Sequence, residues 1–412
     1  MRLHRLLPLT SALAFVACAR PSTVASGSSG GSSPRWFATW TASPFDAPRR
    51  PPRDSVDRTP SLHDQTLRLI TRTSIGGDAV RIRISNEYGD RPLVIDAAHV
   101  AVRDTGASIV TSTDRALTFG GRSYVRLLPG AVAVSDPAPF AVPALRDLAV
   151  SLHLADTTRL ATRHQLGLQT NYVGRGNVTT SAGFAPDTTL DIFPFLVGVD
   201  VRNRAATGVI VAIGNSITDG ALSTRNANAR WPNVLAARMV NGGEPLKAVV
   251  NAGISGGRVL TYGTGPSALA RFDRDVLATP GLTHVIVLEG INDIGRSAVD
   301  GITADDIIFG YRQLITRAHD RGVMIYGATL LAAGPRPSFT PAHEARRAAV
   351  NNFIRTSGEF DGVIDFDAAT RDPADPLRML PAYDSGDHLH PGDAGYRAMA
   401  ESIDLTLFRR SR

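Results

Sequence analysis

Ser216 stands in "AIGNSITDGA" (212–221), directly after a run of apolar, mostly β-branched residues. A serine hydroxyl is almost wholly protonated at neutral pH, so it becomes a nucleophile only beside a base. The segment "DSGDHLHPGDAGY" (384–396) supplies one, with Asp387 and His390 three residues apart just before Pro391. Within one turn that spacing lets the carboxylate accept from one ring nitrogen of His390 while the other faces a hydroxyl. His388 competes for the role, but its adjacency to Asp387 makes a mutual orienting bond less natural. A nucleophile and base also need donors for the oxyanion of a tetrahedral intermediate. Gly256 in "NAGISGG" (251–257) offers a backbone N–H with no Cβ in the way, and Asn292 in "EGINDIG" (289–295) a side-chain amide. Each segment alone also has a plain structural reading. Ser216 and Asp219 suit a turn or helix cap, Asn292 or Asp293 suits a cap, and a loop histidine needs no chemistry.

Two kinds of sequence grammar would have to position these residues. From Trp36 to about Arg204 the pattern has period two, as in "AVRIRIS" (79–85), "LVIDAAHVAV" (93–102), "SYVRLLP" (123–129) and "DLAVSLHLA" (147–155). Turn signals at Gly76-Gly77, Tyr88-Gly89-Asp90 and Gly120-Gly121 punctuate it. This predicts an antiparallel β-sandwich or jelly-roll-like domain over 36–204. After Thr207, short apolar runs alternate with helical stretches: "GVIVAIG" (208–214), "KAVVN" (247–251), "HVIVLE" (284–289), "VMIYGATL" (323–330) and "GVIDF" (362–366). Helices are expected at 231–240, 267–277, 303–321, 341–356 and 392–407. Continuous apolar strands between helices predict a doubly wound parallel α/β domain over 205–412, with ligands at the carboxyl ends of the strands. Ser216 falls at one such end.

The amino terminus reads differently. Arg2 and Arg5 precede an apolar stretch from Leu6 to Ala17, an export signal over 1–19 that is too short to span a bilayer. Two processing readings compete: an A-x-A cleavage site at Ala17 and Ala19, and lipidation of Cys18 followed by the Ser/Gly-rich linker at 20–35. Cys18 is the single cysteine, so no disulfide forms within the chain. Among 44 basic residues only Lys247 is lysine, and the arginines are scattered without basic runs interleaved with aromatics. The net charge of +6 therefore describes a solvated arginine-rich surface, with no nucleic-acid partner. The loop after the first parallel strand also lacks the glycine spacing of a dinucleotide site.

Taken in order, "GNSITDG", "NAGISGG", "GIND" and "DHLHP" resemble the four sequence blocks of the SGNH, or GDSL-type, hydrolase superfamily over about 208–408. Wider stretches such as "RWPNVLAARM" and "GPSALARFDRDVL" look like its bacterial secreted subgroup with an N-terminal β-domain. The resemblance implies a flavodoxin-like sheet of five parallel strands and ester hydrolysis without metal or cofactor. It assigns the nucleophile to Ser216, base and orienting acid to His390 and Asp387, and oxyanion donors to the Ser216 and Gly256 N–H groups and the Asn292 amide. One departure is visible: Asn215 stands where the family usually has Asp. The expected substrate is a small-molecule or polysaccharide ester outside the cytoplasm, by preference an acetyl or short-acyl ester of a carbohydrate. A lipase or phospholipase is the nearer rival, and a non-catalytic carbohydrate-binding surface protein the more distant one. Trp231, Phe193, Phe195 and Tyr262 are candidates for a substrate subsite or for core. Oligomeric state is not legible.

Overall fold

The computed structural model describes residues 35–46, 60–242 and 245–409. The expected export signal with Cys18 lies outside the described residues, as does all but the last residue of the expected linker. In the N-terminal half, the strands Arg35–Thr41, Leu196–Asn203 and Gly77–Ser85 lie side by side, and Gly77–Ser85 also pairs with Val132–Val134 and Ala138–Val142. A second antiparallel sheet has six strands, in the order Thr188–Leu190, Asn171–Arg175, Gln65–Arg72, Asp147–Leu154, Ala97–Val102 and Arg115–Ala116. Alternation sends Val80, Ile82 and Ile84 of one sheet and Leu67, Leu69, Val150 and Leu152 of the other into one core. The run at 93–102 is two strands, not one. It breaks at Asp96, whose carboxylate accepts from the His153 ring at 2.6 Å.

The C-terminal half is built on five parallel strands: β1 (Gly208–Gly214), β2 (Lys247–Gly253), β3 (Leu282–Leu288), β4 (Met324–Ala328) and β5 (Gly362–Ile364). Their order is β2-β1-β3-β4-β5. Every residue of β1 is buried, which is why that strand reads as an unbroken apolar run and not as an alternation. The chain leaves β1 to one side for β2 and returns to the other side for β3. This reversal opens a crevice at the strand ends beside β1, the flavodoxin-like arrangement.

Among the described residues, eight α-helices flank these strands, the last two following β5: α1 (Ser216–Asp219), α2 (Trp231–Asn241), α3 (Ala268–Phe272), α4 (Ile291–Asp300), α5 (Ala304–His319), α6 (Pro341–Thr356), α7 (Phe366–Thr370) and α8 (Asp393–Ser402). Capping boxes start α5 at Thr303 with Asp306 and α6 at Thr340 with His343, and Pro341 takes the first turn of α6. The helix expected at 267–277 is α3 followed by a π-helical turn over Asp273–Leu277. Sequence periodicity missed α4, because "INDIGRSAVD" has a glycine at its centre and few apolar residues to repeat.

From Pro34 onward the chain is one compact unit, and one apolar core runs through both halves. Polar bonds cross between them: Ala38 N–H donates to Pro280 O (3.0 Å), Thr41 Oγ1 to Asn251 O (2.7 Å) and Val249 N–H to Ser74 Oγ (2.8 Å). Arg274 donates to Glu87 (2.7 Å) and to the Pro44 carbonyl (3.0 Å).

Candidate active site

Ser216 is the first residue of α1, at the carboxyl end of β1. Asn215 caps the helix, its side-chain oxygen accepting from the Ile217 N–H at 3.0 Å. At the first helical position the Ser216 N–H has no intrahelical acceptor and is left for a ligand. The turn is tight. A Cβ at Gly214 would sit 2.2 Å from Thr218 Oγ1 and 2.4 Å from Leu288 O, so only glycine lets β1 pass this close to both.

Ser216 Oγ lies 2.8 Å from Nε2 of His390, and His390 Nδ1 lies 2.6 Å from Asp387 Oδ2. The other Asp387 oxygen accepts the N–H groups of His390 (2.8 Å) and Leu389 (3.0 Å). Partial burial of Asp387 opposes its charge, but these N–H donors and the His390 ring prevail and hold the carboxyl down at about 2. His388 does not reach the serine. Its ring turns to Asp384, with Nδ1 2.7 Å from Oδ2, on a left-handed backbone (φ 61°). The choice between the two histidines, open in the sequence, thus falls to His390. Tyr396 of α8 donates to Ala221 O at 2.7 Å, and Thr224 N–H to Asp393 at 2.8 Å, joining this final loop and α8 to the nucleophile segment.

The two neighbouring strand ends bring the remaining predicted residues to the same rim, since Gly214 of β1 pairs with Gly253 of β2 and Leu288 of β3. Gly256 has φ 76°, and a Cβ there would meet Thr264 Oγ1 at 2.3 Å, so conformation and space both demand glycine. Asn292, in the first turn of α4, donates one amide hydrogen to Gly257 O at 2.9 Å and keeps a second. Asp293 accepts from the N–H groups of Val259 (2.9 Å) and Leu260 (3.1 Å). Its burial pushes the carboxyl up to about 6 against those two donors. The first turn of α4 therefore ties down the whole loop that carries Gly256. Asp293 does this as a ligand of the loop backbone, a role its sequence position did not announce.

Sequence reasoning missed three buried groups behind these loops. Arg271 donates to the carbonyls of Ala252 (2.5 Å) and Gly214 (3.0 Å), so one guanidinium pins the ends of β2 and β1. It also reaches Asp275 (3.2 Å) and Ser43 of the N-terminal half (3.3 Å). Glu289, fully buried, lies 3.7 Å from Arg271. Burial raises its carboxyl to about 8; Arg271 and the Asn215 amide oppose the rise and Asp293 adds to it. The third is His164. Its Nδ1 lies 3.0 Å from Ser43 O and its Nε2 2.9 Å from Asp219 Oδ1. Carbonyl and carboxylate oxygens only accept, so both ring nitrogens donate and the ring is the cation. Burial disfavours that charge, yet Asp219 and the Ser43 carbonyl outweigh it and raise the pKa of His164. The other Asp219 oxygen accepts from the N–H and Oγ of Ser255, both at 2.9 Å, next to Gly256. Asp219 is thus a junction between the nucleophile helix, the Gly256 loop and the N-terminal half. No sequence signal marked His164, because its partner is 55 residues away.

Of the candidate aromatic residues, Trp231, Phe193 and Phe195 are core, and only Tyr262 is exposed, its hydroxyl donating to Asp46. Trp40 packs edge-on against Phe193 at 4.7 Å. The "GLQTNY" segment (167–172) braces the loop after α1: Asn226 N–H donates to Leu168 O at 3.0 Å and Thr170 N–H to Asn226 at 2.7 Å. Among the described residues no cluster of three or more His, Cys, Asp or Glu side chains could hold a metal ion. No described helix is long and apolar enough to cross a membrane.

Residues 212–398 match the GDSL-like lipase/acylhydrolase family, and this part of the chain belongs to the SGNH/GDSL hydrolase superfamily. The protein is a carboxylic ester hydrolase. No curated protein matches the sequence. Among solved structures, a GDSL-like lipase from Bacteroides thetaiotaomicron is 19% identical, covers 49% of this chain and 89% of its own, and has a TM-score of 0.38. An acetylxylan esterase from Geobacillus stearothermophilus is 22% identical over 48% of this chain and 93% of its own, with a TM-score of 0.37. An alpha/beta hydrolase from a Lake Arreo metagenome is 22% identical over 48% and 94%, with a TM-score of 0.38.

Proposed function

We propose that the protein is an extracytoplasmic serine esterase that removes acetyl or short acyl groups from carbohydrate. The observation that carries this reading is the hydrogen-bonded relay from Ser216 through His390 to Asp387, at 2.8 and 2.6 Å. His390 accepts the Ser216 proton as Oγ attacks the ester carbonyl, and Asp387 holds the ring with Nδ1 protonated and stabilises the imidazolium. The N–H groups of Ser216 and Gly256 and the free Asn292 amide hydrogen receive the oxyanion; each such donor contributes about 3 to 4 kcal/mol to the transition state. His390 returns its proton to the leaving alcohol. Water, activated by the same ring, then releases the acid.

A short acyl group suits the cleft beside the oxyanion donors, which has a volume of about 370 Å³ and polar walls with three arginines. An apolar chain would strand those charges. Export through residues 1–19, with a tether at 20–35 and lipidation at Cys18, would place the enzyme among extracellular or envelope glycans. On this reading 36–204 is a supporting β-domain and 205–412 the hydrolase domain. The test is hydrolysis of nitrophenyl acetate by wild type and Ser216→Ala. Equal rates would end the esterase reading and leave the carbohydrate-binding alternative.

A further inference from the structure

The cleft runs from Gly256 and Asn292 to Leu389, the residue before His390, and three guanidiniums line it: Arg258, Arg296 and Arg336. No acidic side chain lines it. Arg258 is accounted for, since it pairs with Asp300 at 3.3 Å. The other two differ. Arg296 is exposed and has no carboxylate partner among the described residues, and Arg336 makes only an Nε bond to Ser338 at 3.1 Å. Arg271, Arg274, Arg347 and Arg355 of this half are tied to carboxylates, whereas Arg296 and Arg336 line one cleft with their charge uncompensated there.

Their placement relative to the reacting atoms follows from the helix. Arg296 is four residues after Asn292 on α4, so the two share a face about one turn, ~5.4 Å, apart. Helical side chains lean toward the N-terminus, which tilts Arg296 back toward the oxyanion donor. Between them is Gly295, where an added Cβ would meet nothing within 4 Å. A glycine inside a helix is disfavoured relative to alanine, and here it leaves the cleft open along that face. Arg336 approaches from the segment that follows β4.

We infer that Arg296 and Arg336 form an anion subsite, which selects esters bearing a carboxylate close to the scissile bond. The inference rests on the esterase reading above and narrows its substrate class. The carboxylate can belong to the alcohol, as in an O-acetylated uronic acid of an acidic polysaccharide, or to the acyl group, as in a dicarboxylic half-ester. Guanidinium is suited to either through paired N–H donors.

The experiment compares kcat/KM on four substrates: neutral nitrophenyl acetate, nitrophenyl hemisuccinate, acetylated polygalacturonate and acetylated xylan without uronic acid. Wild type is set against Arg296→Gln, Arg336→Gln and the double variant. The double variant should lose roughly 10- to 100-fold on an anionic substrate, mainly through KM, and less than about 2-fold on nitrophenyl acetate. Loss on hemisuccinate puts the carboxylate in the acyl group, and loss on polygalacturonate puts it in the alcohol. For wild type itself, added salt should depress the rate on the preferred anionic substrate and spare the neutral one, a readout that needs no variant. Wild-type activity on nitrophenyl acetate with no anionic preference, or equal losses on charged and neutral esters, overturns the subsite and leaves the esterase standing. No hydrolysis of nitrophenyl acetate by wild type overturns both.

Discussion

Two histidine–aspartate pairs serve the same crevice, one in the final loop and one where the N-terminal half meets the nucleophile helix. Their ring-to-carboxylate distances are close, 2.6 Å for His390–Asp387 and 2.9 Å for His164–Asp219. Their surroundings are not. The side chains of His390 and Asp387 are 16% and 38% exposed, against 7% and 4% for His164 and Asp219. The second ring nitrogen decides the outcome: His164 gives its proton to a carbonyl, which can only accept, whereas His390 faces a hydroxyl that can accept or donate. One pair is locked as a buried ion pair, and the other is free to pass a proton. On the proposed mechanism the imidazole that acts as base is the one whose remaining nitrogen faces a group able to donate a proton.

The largest effect that tests this contrast is on rate. Ser216→Ala and His390→Ala should each lower kcat on nitrophenyl acetate by roughly 10⁴- to 10⁶-fold with little change in melting temperature. Asp387→Asn should lose about 10⁴-fold, since it upsets the ring tautomer. Because the Asp387 carboxyl is held at about 2, it stays ionised from about pH 5 to 8, and protonation of Asp387 should cause no loss of wild-type rate in that range.

The mirror experiment is on the buried pair. His164→Ala leaves the Asp219 carboxylate without its counter-ion and should cost roughly 3 to 5 kcal/mol in urea unfolding. Its rate defect should be far smaller than that of His390→Ala. A variant that keeps full stability but loses all activity would place His164 in the chemistry and break the comparison. Because the folded pKa of His164 is raised, its stabilisation is complete below the ordinary histidine value and fades as pH rises through the folded one. The melting temperature of wild type should therefore decline on the alkaline side, and part of that slope should vanish in His164→Gln.

Glu289 contributes to the same slope by the opposite route, as a group that is neutral when folded. Its folded pKa of about 8 lies above the ordinary glutamate value, so the folded state holds the proton more tightly between the two and stability falls as pH rises through about 8. Glu289→Gln should flatten the melting curve between about pH 5 and 8, the window in which the folded state alone keeps the proton. The smallest effect is expected at Asn215→Asp. Asn and Asp cap a helix about equally well. The new charge beside Glu289 should raise the pKa of Glu289 further and steepen the alkaline loss, with activity at pH 7 changed by only a few-fold.

Much of this arrangement was legible along the chain because it is local. The apolar run at 208–214, the Asn215 cap, the glycine demanded at 256 and the three-residue spacing of Asp387 and His390 all express backbone geometry or one turn of chain. The four segments in order were enough to nominate a nucleophile, a base and oxyanion donors, and the fold brings Ser216, His390 and Asp387 into hydrogen-bond contact. The short helix α4 was not legible, since its apolar stripe is only Ile291 and Ile294, and the rest of its anchoring comes from Asp293 and Asn292 bonding to the preceding loop.

By itself, then, the sequence determined the two architectures and nominated the candidate reacting groups, for periodicity and turn chemistry are read over a few residues. Only the tertiary structure brought the ring of His390 to Ser216 and turned that of His388 to Asp384, and decided that His164 and Ser43 of the N-terminal half reach Asp219 and Arg271 behind the site. Such links depend on a buried charge finding a partner wherever the packing brings one, and burial at a distance leaves no period or spacing in the chain.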